Sequence, residues 1–420
     1  MALVRLDPKD WISEVPRFPD FPCSEWERRI KRAKELMAQS DIDAIVVWKR
    51  ENVRYFFGFQ TTHWEIPSIQ PAVGIIPREG EPLLIVPDLL LVNAQVFTWT
   101  RNILYQPRAH EVPKERAVPT EVANAMKEMG LGNKTIGLES GHLGCIWIPR
   151  PLNDIEAFKQ ALPGAKFVDG DKVIWGCRMI KSPLEIERIR QAARVIAKMH
   201  AAVVEGFRPG MTEMDVAKLI HSVEVESGDF RGGDTTVCDH IICNLEKEGV
   251  ADCLALDDVI ITRNDYIQVD LQHKHKGYWA DIARVFQVGP VTDKVKKNYE
   301  LCREGLENAV TMIKPGVPIK EVYKAAVKPV VDAGLPTFEM AGHGIGLDIH
   351  EPPSVDGTND MVMEEGMVFS VEVWVFGSYR RKGGEGVFGL EDQYVVTSKG
   401  YERIEGLPKD IIQVAHPFIQ

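Results

Sequence analysis

Five side chains in the last third of this 420-residue chain are of the types that bind hard divalent metals: Asp270, Asp281, His343, Glu372 and Glu391. Each sits in a short stretch that reads as a strand or a strand edge, so the five donors can converge from a sheet onto one point. Four carboxylates and one imidazole in a single pocket repel one another unless cations hold them. Carboxylates select hard ions and the imidazole admits Mn, Co, Fe or Zn, so the set points to two divalent ions able to lower the pKa of a water. Lone aspartates are ordinarily solvated turn residues, but GYWAD before Asp281 and ARVF after it read as buried strand. The glycines on either side of His343 suit close approach of the backbone to a bound group.

The elements that must position these residues lie in a second domain. Ser182-Pro183-Leu184-Glu185 offers an N-cap, a proline at the first helical position and a capping-box acid, opening a helix to about Val204. That helix ends in GFRPGMTEMDV, and 106 residues later another ends in MIKPGVPIKEV. Each Pro-Gly turn is followed by a further helix and then strands. Asp270 and Asp281 lie 61 and 72 residues after Pro209, and Glu372 and Glu391 lie 57 and 76 after Pro315. Each half therefore donates two carboxylates from corresponding strands, which is the pattern of a pseudo-twofold site. The HKHK run, His273 to Lys276, reads as a solvated hairpin turn with no metal role.

Upstream, EWERRIKRAKELMAQSDIDAIVVW reads as an amphipathic helix running into a buried strand. PAVGIIP, EPLLIVP and KTIGLES read as further strands and VPTEVANAMKEMGLG as a helix stopped by glycine, an α/β pattern that ends near Cys177. Two domains follow, 1–178 and 179–420. A net charge of −11 without a basic stripe argues against nucleic acid or an anionic membrane surface and for a small-molecule partner. Seven scattered cysteines with no CxxC pair fit reduced thiols and a cytoplasmic location. No stretch has signal-peptide character or the roughly 20 apolar residues of a membrane span.

Four segments together resemble the metal-binding segments of the pita-bread fold family that includes methionine aminopeptidase, X-Pro aminopeptidase, prolidase and creatinase. They are DLQHKHKGYWAD with IARVF, AGHGIGLDIHEPP, GMVFSVEVWVF and GLEDQYVVTSKGYERI. ERRIKRAKELMAQSDIDAIVVWKRENVRYFFGF likewise resembles the creatinase-type amino-terminal domain. The resemblance implies an α/β creatinase-like domain followed by an α+β pita-bread domain with an internal pseudo-twofold repeat. It implies that Asp270 and Asp281 bind the metals, that Asp281 and Glu391 bridge them, and that His343 and Glu372 each cap one. Glu372 would double as general base, and His240 and His350 would stabilise the oxyanion or shuttle protons.

The chain also departs from the peptidase pattern. Asp270-Leu271-Gln272 stands where Asp-x-Gly is usual, Glu372-Val373-Trp374 where Glu-Pro-Gly is usual, and Gly389 where an arginine is common. Arg380, Arg381 or Lys382 could replace that cation from the adjacent loop, and Tyr278, Trp279 and Trp374 could form an aromatic wall for substrate. The resemblance implies a dinuclear-metal hydrolase cleaving an amide bond in a dipeptide or other small molecule, X-Pro aminopeptidase- or prolidase-like. The alternative within the fold is a non-peptidase acting on a small zwitterion, like ectoine hydrolase, creatinase or dimethylsulfoniopropionate lyase. A catalytically silent binding module would lose ligands, and all five are retained. Creatinase-type relatives imply a homodimer in which the amino-terminal domain closes over the neighbour's site, with Trp64 in GFQTTHWEIPS as the candidate lid residue.

Overall fold

The computed structural model describes residues 3–13, 15–65, 72–107, 118–141, 151–229, 237–243, 260–376 and 386–414. The chain divides into two compact units, Met1–Arg178 and Met179–Gln420.

The amino-terminal unit is built on a seven-stranded sheet. Its strands are β1 (Val4–Arg5), β2 (Ala44–Val47), β3 (Val73–Pro77), β4 (Leu83–Pro87), β5 (Ile103–Gln106), β6 (Thr135–Leu138) and β7 (Lys166–Asp169), in the order β1-β5-β4-β3-β2-β6-β7. The central strands AIVV, VGIIP and LLIVP are continuous apolar runs because helices cover both faces. Val46, Ile75, Ile85, Ile136, Met126 and Phe158 share one core. The helix Cys23–Gln39 buries Trp26, Ile30, Ala33 and Met37, three to four residues apart, so a single stripe faces inward. Glu139 is buried and accepts from Trp48 N (2.8 Å), Lys49 N (3.0 Å) and Asn52 Nδ2 (2.6 Å) at the start of the helix Arg50–Phe57. Burial pushes its carboxyl up to about 7 despite these donors.

The carboxyl-terminal unit repeats one motif twice. The helix Pro183–Gly206 opens on the capping box of Ser182 and Glu185 and is followed by the helix Glu213–Ser227. Next comes a four-stranded sheet of β8 (Val237–Cys243), β9 (Tyr266–His275), β10 (Tyr278–Val288) and β16 (Ile412–Val414), ordered β16-β10-β9-β8. In the second half the helices Asp293–Val310 and Ile319–Asp332 precede β11 (Met340–Gly344), β12 (Glu351–Asp356), β13 (Val368–Phe376), β14 (Val387–Thr397) and β15 (Gly400–Arg403), ordered β12-β11-β13-β14-β15.

The two Pro-Gly turns are equivalent down to their hydrogen bonds. Gly210 N donates to Ile261 O and Ile261 N to Met211 O, while Gly316 N donates to Met363 O and Met363 N to Val317 O. Both glycines have positive φ, +95° and +84°, which favours glycine at each turn. The expected internal repeat is thus present in the backbone. The second-half helices bury Tyr299, Cys302, Leu306, Val322 and Val330 against Val371, Val373 and Leu390. One face of β13 and β14 is thereby committed to the core, leaving the alternate residues for the other face.

Candidate metal centre

Antiparallel register places the carboxylates. Across the β9–β10 hairpin Asp270 is opposite Ala283 and Asp281 opposite Gln272, so the two aspartates are diagonal neighbours on one face. Across β13–β14, Glu372 is directly opposite Glu391. His343 enters from β11 beside a register shift, and its Nε2 lies 3.7 Å from Asp281 Oδ2, 3.9 Å from Glu372 Oε1 and 3.9 Å from Glu391 Oε1. Asp270, Asp281 and Glu391 form one close ligand group, His343, Glu372 and Glu391 a second, and Asp281, His343 and His350 a third.

The electrostatics of this pocket are those of a cation site. Asp270, Asp281, His343 and Glu391 are buried. Burial first, then the neighbouring carboxylates, push Asp281 and Glu391 well above the usual carboxylate range. Burial and His350 push His343 down to about 3, so its imidazole is neutral. Its Nδ1 lies 3.1 Å from Gly344 O, which assigns the proton to Nδ1 and leaves the Nε2 lone pair facing the carboxylates. Glu391 Oε1 is buried with no hydrogen-bond partner among the described residues. Like charges opposite each other in a sheet and an orphaned buried oxygen are costly features that divalent cations relieve. This donor set fits two such ions.

Around the ligands stands a layer of side chains that sequence reading missed. Gln272 Nε2 donates to Asp270 Oδ1 at 2.8 Å and to Asp281 Oδ1 at 2.9 Å, fixing the pair relative to each other. Arg284, fully buried, donates to Glu391 O (2.7 Å) and pairs with Asp392 Oδ1 (2.6 Å), tying β10 to β14 behind the ligand face. Lys181 pairs with Glu351 Oε2 at 3.2 Å, both side chains 1% exposed, and Glu351 Oε1 accepts from Asp348 N at 3.1 Å. That arrangement anchors the loop carrying His350, whose ring stacks on His343 with centroids 3.7 Å apart.

Several expectations are corrected here. Tyr278 is no pocket wall: it alternates with Asp281 onto the opposite face of β10, and its hydroxyl donates to Glu185 Oε1 at 3.0 Å. The glycines beside His343 serve the fold rather than a bound group, since a Cβ on Gly342 would overlap Ser370 O and one on Gly344 would overlap Pro352 O. The HKHK run is strand: His273 and Lys274 are buried, His273 Nε2 and His275 Nδ1 both meet Asp229 (3.1 and 2.7 Å), and only Lys276 and Gly277 have turn conformation. Trp279 does share the Asp281 face, under the Lys274 ammonium at 4.9 Å. Trp374 reaches the site directly, its Nε1 donating to Glu372 Oε2 at 2.7 Å. His240 stands opposite Asp270 in the β8–β9 register. Trp64 lies in the short helix Thr62–Glu65 of the amino-terminal unit, its ring edge against Phe59. Residues 66–68, the rest of the expected lid, and Arg380, Arg381 and Lys382 fall outside the described residues.

Comparison with known proteins agrees with this geometry. The model of metallopeptidase family M24 matches residues 187–398, and that of the creatinase/prolidase N-terminal domain matches residues 29–180. The chain belongs to metallopeptidase family M24. Members are hydrolases dependent on a dinuclear divalent-metal centre, and the fold is that of the creatinase-type domain followed by the pita-bread domain. An Xaa-Pro dipeptidase of Pyrococcus horikoshii is 29% identical over 391 residues, covering 91% of this M24 chain and 98% of the relative. Among solved structures, an X-Pro aminopeptidase from Thermotoga maritima matches with TM-score 0.72 at 26% identity, over 91% of this chain and 100% of that one. A prolidase from Pyrococcus horikoshii matches with TM-score 0.75 at 26% identity, over 92% and 100%.

Proposed function

We propose that the chain hydrolyses the amide bond of an X-Pro dipeptide, or the bond between an amino-terminal residue and proline, at a two-ion centre held by Asp270, Asp281, His343, Glu372 and Glu391. The observation that carries the reading is the convergence of four carboxylates and a neutral imidazole lone pair, with Oε1 of Glu391 buried and unpartnered among the described residues. Divalent ions, when bound, supply Lewis-acid polarisation of the scissile carbonyl and a lowered pKa for solvent. Glu372 takes up the proton of the attacking water, because it is the partly accessible carboxylate of the set and is aimed by Trp374. His350, exposed beside His343, supplies a proton or a hydrogen bond to the developing oxyanion, and His240, the cross-strand partner of Asp270 in the β8–β9 register, is assigned the same role. The names of the similar proteins support the proline-containing substrate class.

A second reading, a non-peptidase acting on a small zwitterion, is favoured by one observation. The side of the pocket at Gly389 offers no side chain, and the Trp374 ring fills that space. One assay decides between the two readings. Protein loaded in turn with Mn, Co, Fe or Zn is tested on X-Pro dipeptides and on ectoine, creatine and dimethylsulfoniopropionate, with Asp281→Ala as control. Turnover of the zwitterions alone overturns the peptidase reading, and equal activity of the Asp281 variant overturns the metal centre.

A cytoplasmic homodimer in which Trp64 closes over the partner's site completes the reading. Trp64→Ala should raise KM with kcat little changed, and an unaltered KM removes the lid.

A further inference from the structure

Trp374 and Gly389 are cross-strand partners in the β13–β14 hairpin, one step from the Glu372–Glu391 pair. The indole is 6% exposed, stacked near Phe376 at 6.0 Å, edge-on to Phe338 at 6.2 Å, and packed against Ala283 and Val387. A Cβ at residue 389 would overlap the Cε3, Cζ3 and Cη2 atoms of the ring. Gly389 has no positive φ that would call for glycine, and the three atoms nearest a Cβ there all belong to the indole ring. Its own N–H is fixed on Gln268 Oε1 at 2.7 Å, which denies the strand an easy retreat. Held from every side, the indole aims its single N–H at Glu372 Oε2, while Glu372 Oε1 faces His343 Nε2.

We propose that Trp374 is a positioning residue for the metal centre and that Gly389 is the vacancy it requires: the indole N–H fixes Oε2 of Glu372 so that Oε1 alone turns to the ions and the reacting proton. The inference rests on the metal-centre reading above. Its physical basis is that partners bonded to a metal ligand orient it, at about 10–100-fold in metal affinity or activity when removed. A charge-assisted N–H to a carboxylate is among the stronger and better-directed of such bonds. The pair also accounts for two sequence departures at once, since tryptophan and glycine at these positions are sterically interdependent.

The test uses the full chain and isothermal titration with Mn and Co, alongside circular dichroism for the fold and steady-state kinetics. Trp374→Phe removes the N–H and keeps an aromatic ring, and about 10-fold weaker binding of at least one ion is expected, with kcat falling more than KM changes. Gly389→Ala leaves the indole intact but displaces it, and the same weakening is expected from a single added methyl. The double variant should lose little more than either single one, because both act through one bond. Full-affinity binding of both ions by Trp374→Phe overturns the inference, as do losses in the two single variants that simply add. A wild-type chain that binds no divalent ion instead overturns the metal reading itself, so the two failures are distinguishable.

Discussion

At the scale of single residues, the site is a problem in charge. Asp281 is pushed up by burial, Asp270 and Glu372, and Glu391 by burial, Asp281 and Glu372; His343 is pushed down, and every one of these shifts disfavours charge where the sequence concentrates it. His350 differs from the others in being exposed, stacked on His343 at the outer edge of the cluster. Its position admits two roles that one measurement separates. As a proton donor it contributes to rate, and as a ligand to metal content. His350→Ala should lower kcat by about 100-fold, within the usual range for a general acid or base, while the metal content by atomic absorption stays at the wild-type value. A fall in bound metal instead would make His350 a ligand. That the four carboxylates and His343 could meet at one point was legible in the sequence, because acids in otherwise apolar strands stand out and His343 lies between glycines. The face of Tyr278 was legible too, since an odd separation from Asp281 puts it on the other side of a strand.

At the scale of elements, the ligands are held by strand register, and register is held from behind. Arg284 is fully buried, bonded to Glu391 O, Asp392 Oδ1 and Pro408 O, so one guanidinium joins β10, β14 and the segment beyond β15. Asp392 in turn accepts from Arg403 at 2.8 Å. Breaking a buried pair costs about 3–5 kcal/mol, and removing Arg284 stands at the low end because Asp392 keeps Arg403. Arg284→Met should therefore lower the urea midpoint by an amount corresponding to about 3 kcal/mol or more, and metal affinity should fall with it because Asp281 and Glu391 lose their common anchor. A variant as stable as wild type would show that packing alone sets the register. The capping box at Ser182, the Pro-Gly repeat and the Asp270–Asp281 hairpin were all readable from local patterns. Arg284 with Asp392, and Asp229 beneath His273 and His275, were not, because each depends on residues 44 or more positions apart that only the fold brings together.

At the scale of the whole molecule, two units with separate cores carry two different linkages, and this separates their contributions to stability. The carboxyl-terminal unit holds the carboxylate cluster, so divalent ions stabilise it by mass action, about 2.7 kcal/mol at a free concentration 100 times Kd. The amino-terminal unit instead holds Glu139, whose folded carboxyl is raised from 4.5 to about 7. A raised carboxyl favours folding at low pH, and that stability is lost as pH climbs from about 4.5 through about 7, roughly 3 kcal/mol in full. Glu139→Gln, which cannot ionise, should flatten this pH dependence. Hydrogen exchange on the full chain resolves the two effects by location. Adding Mn to chelator-treated protein should slow exchange in peptides covering β9, β10, β13 and β14 and leave the helix Cys23–Gln39 unchanged. Raising the pH from 5 to 8 should lower the protection factors, which correct for the intrinsic rise of exchange with pH, around the helix Arg50–Phe57, where Glu139 accepts from the chain, in wild type but not in Glu139→Gln. Metal protection spread evenly over both units would instead mean that they unfold as one cooperative body, and the separate ledgers of metal and proton would merge into a single linkage.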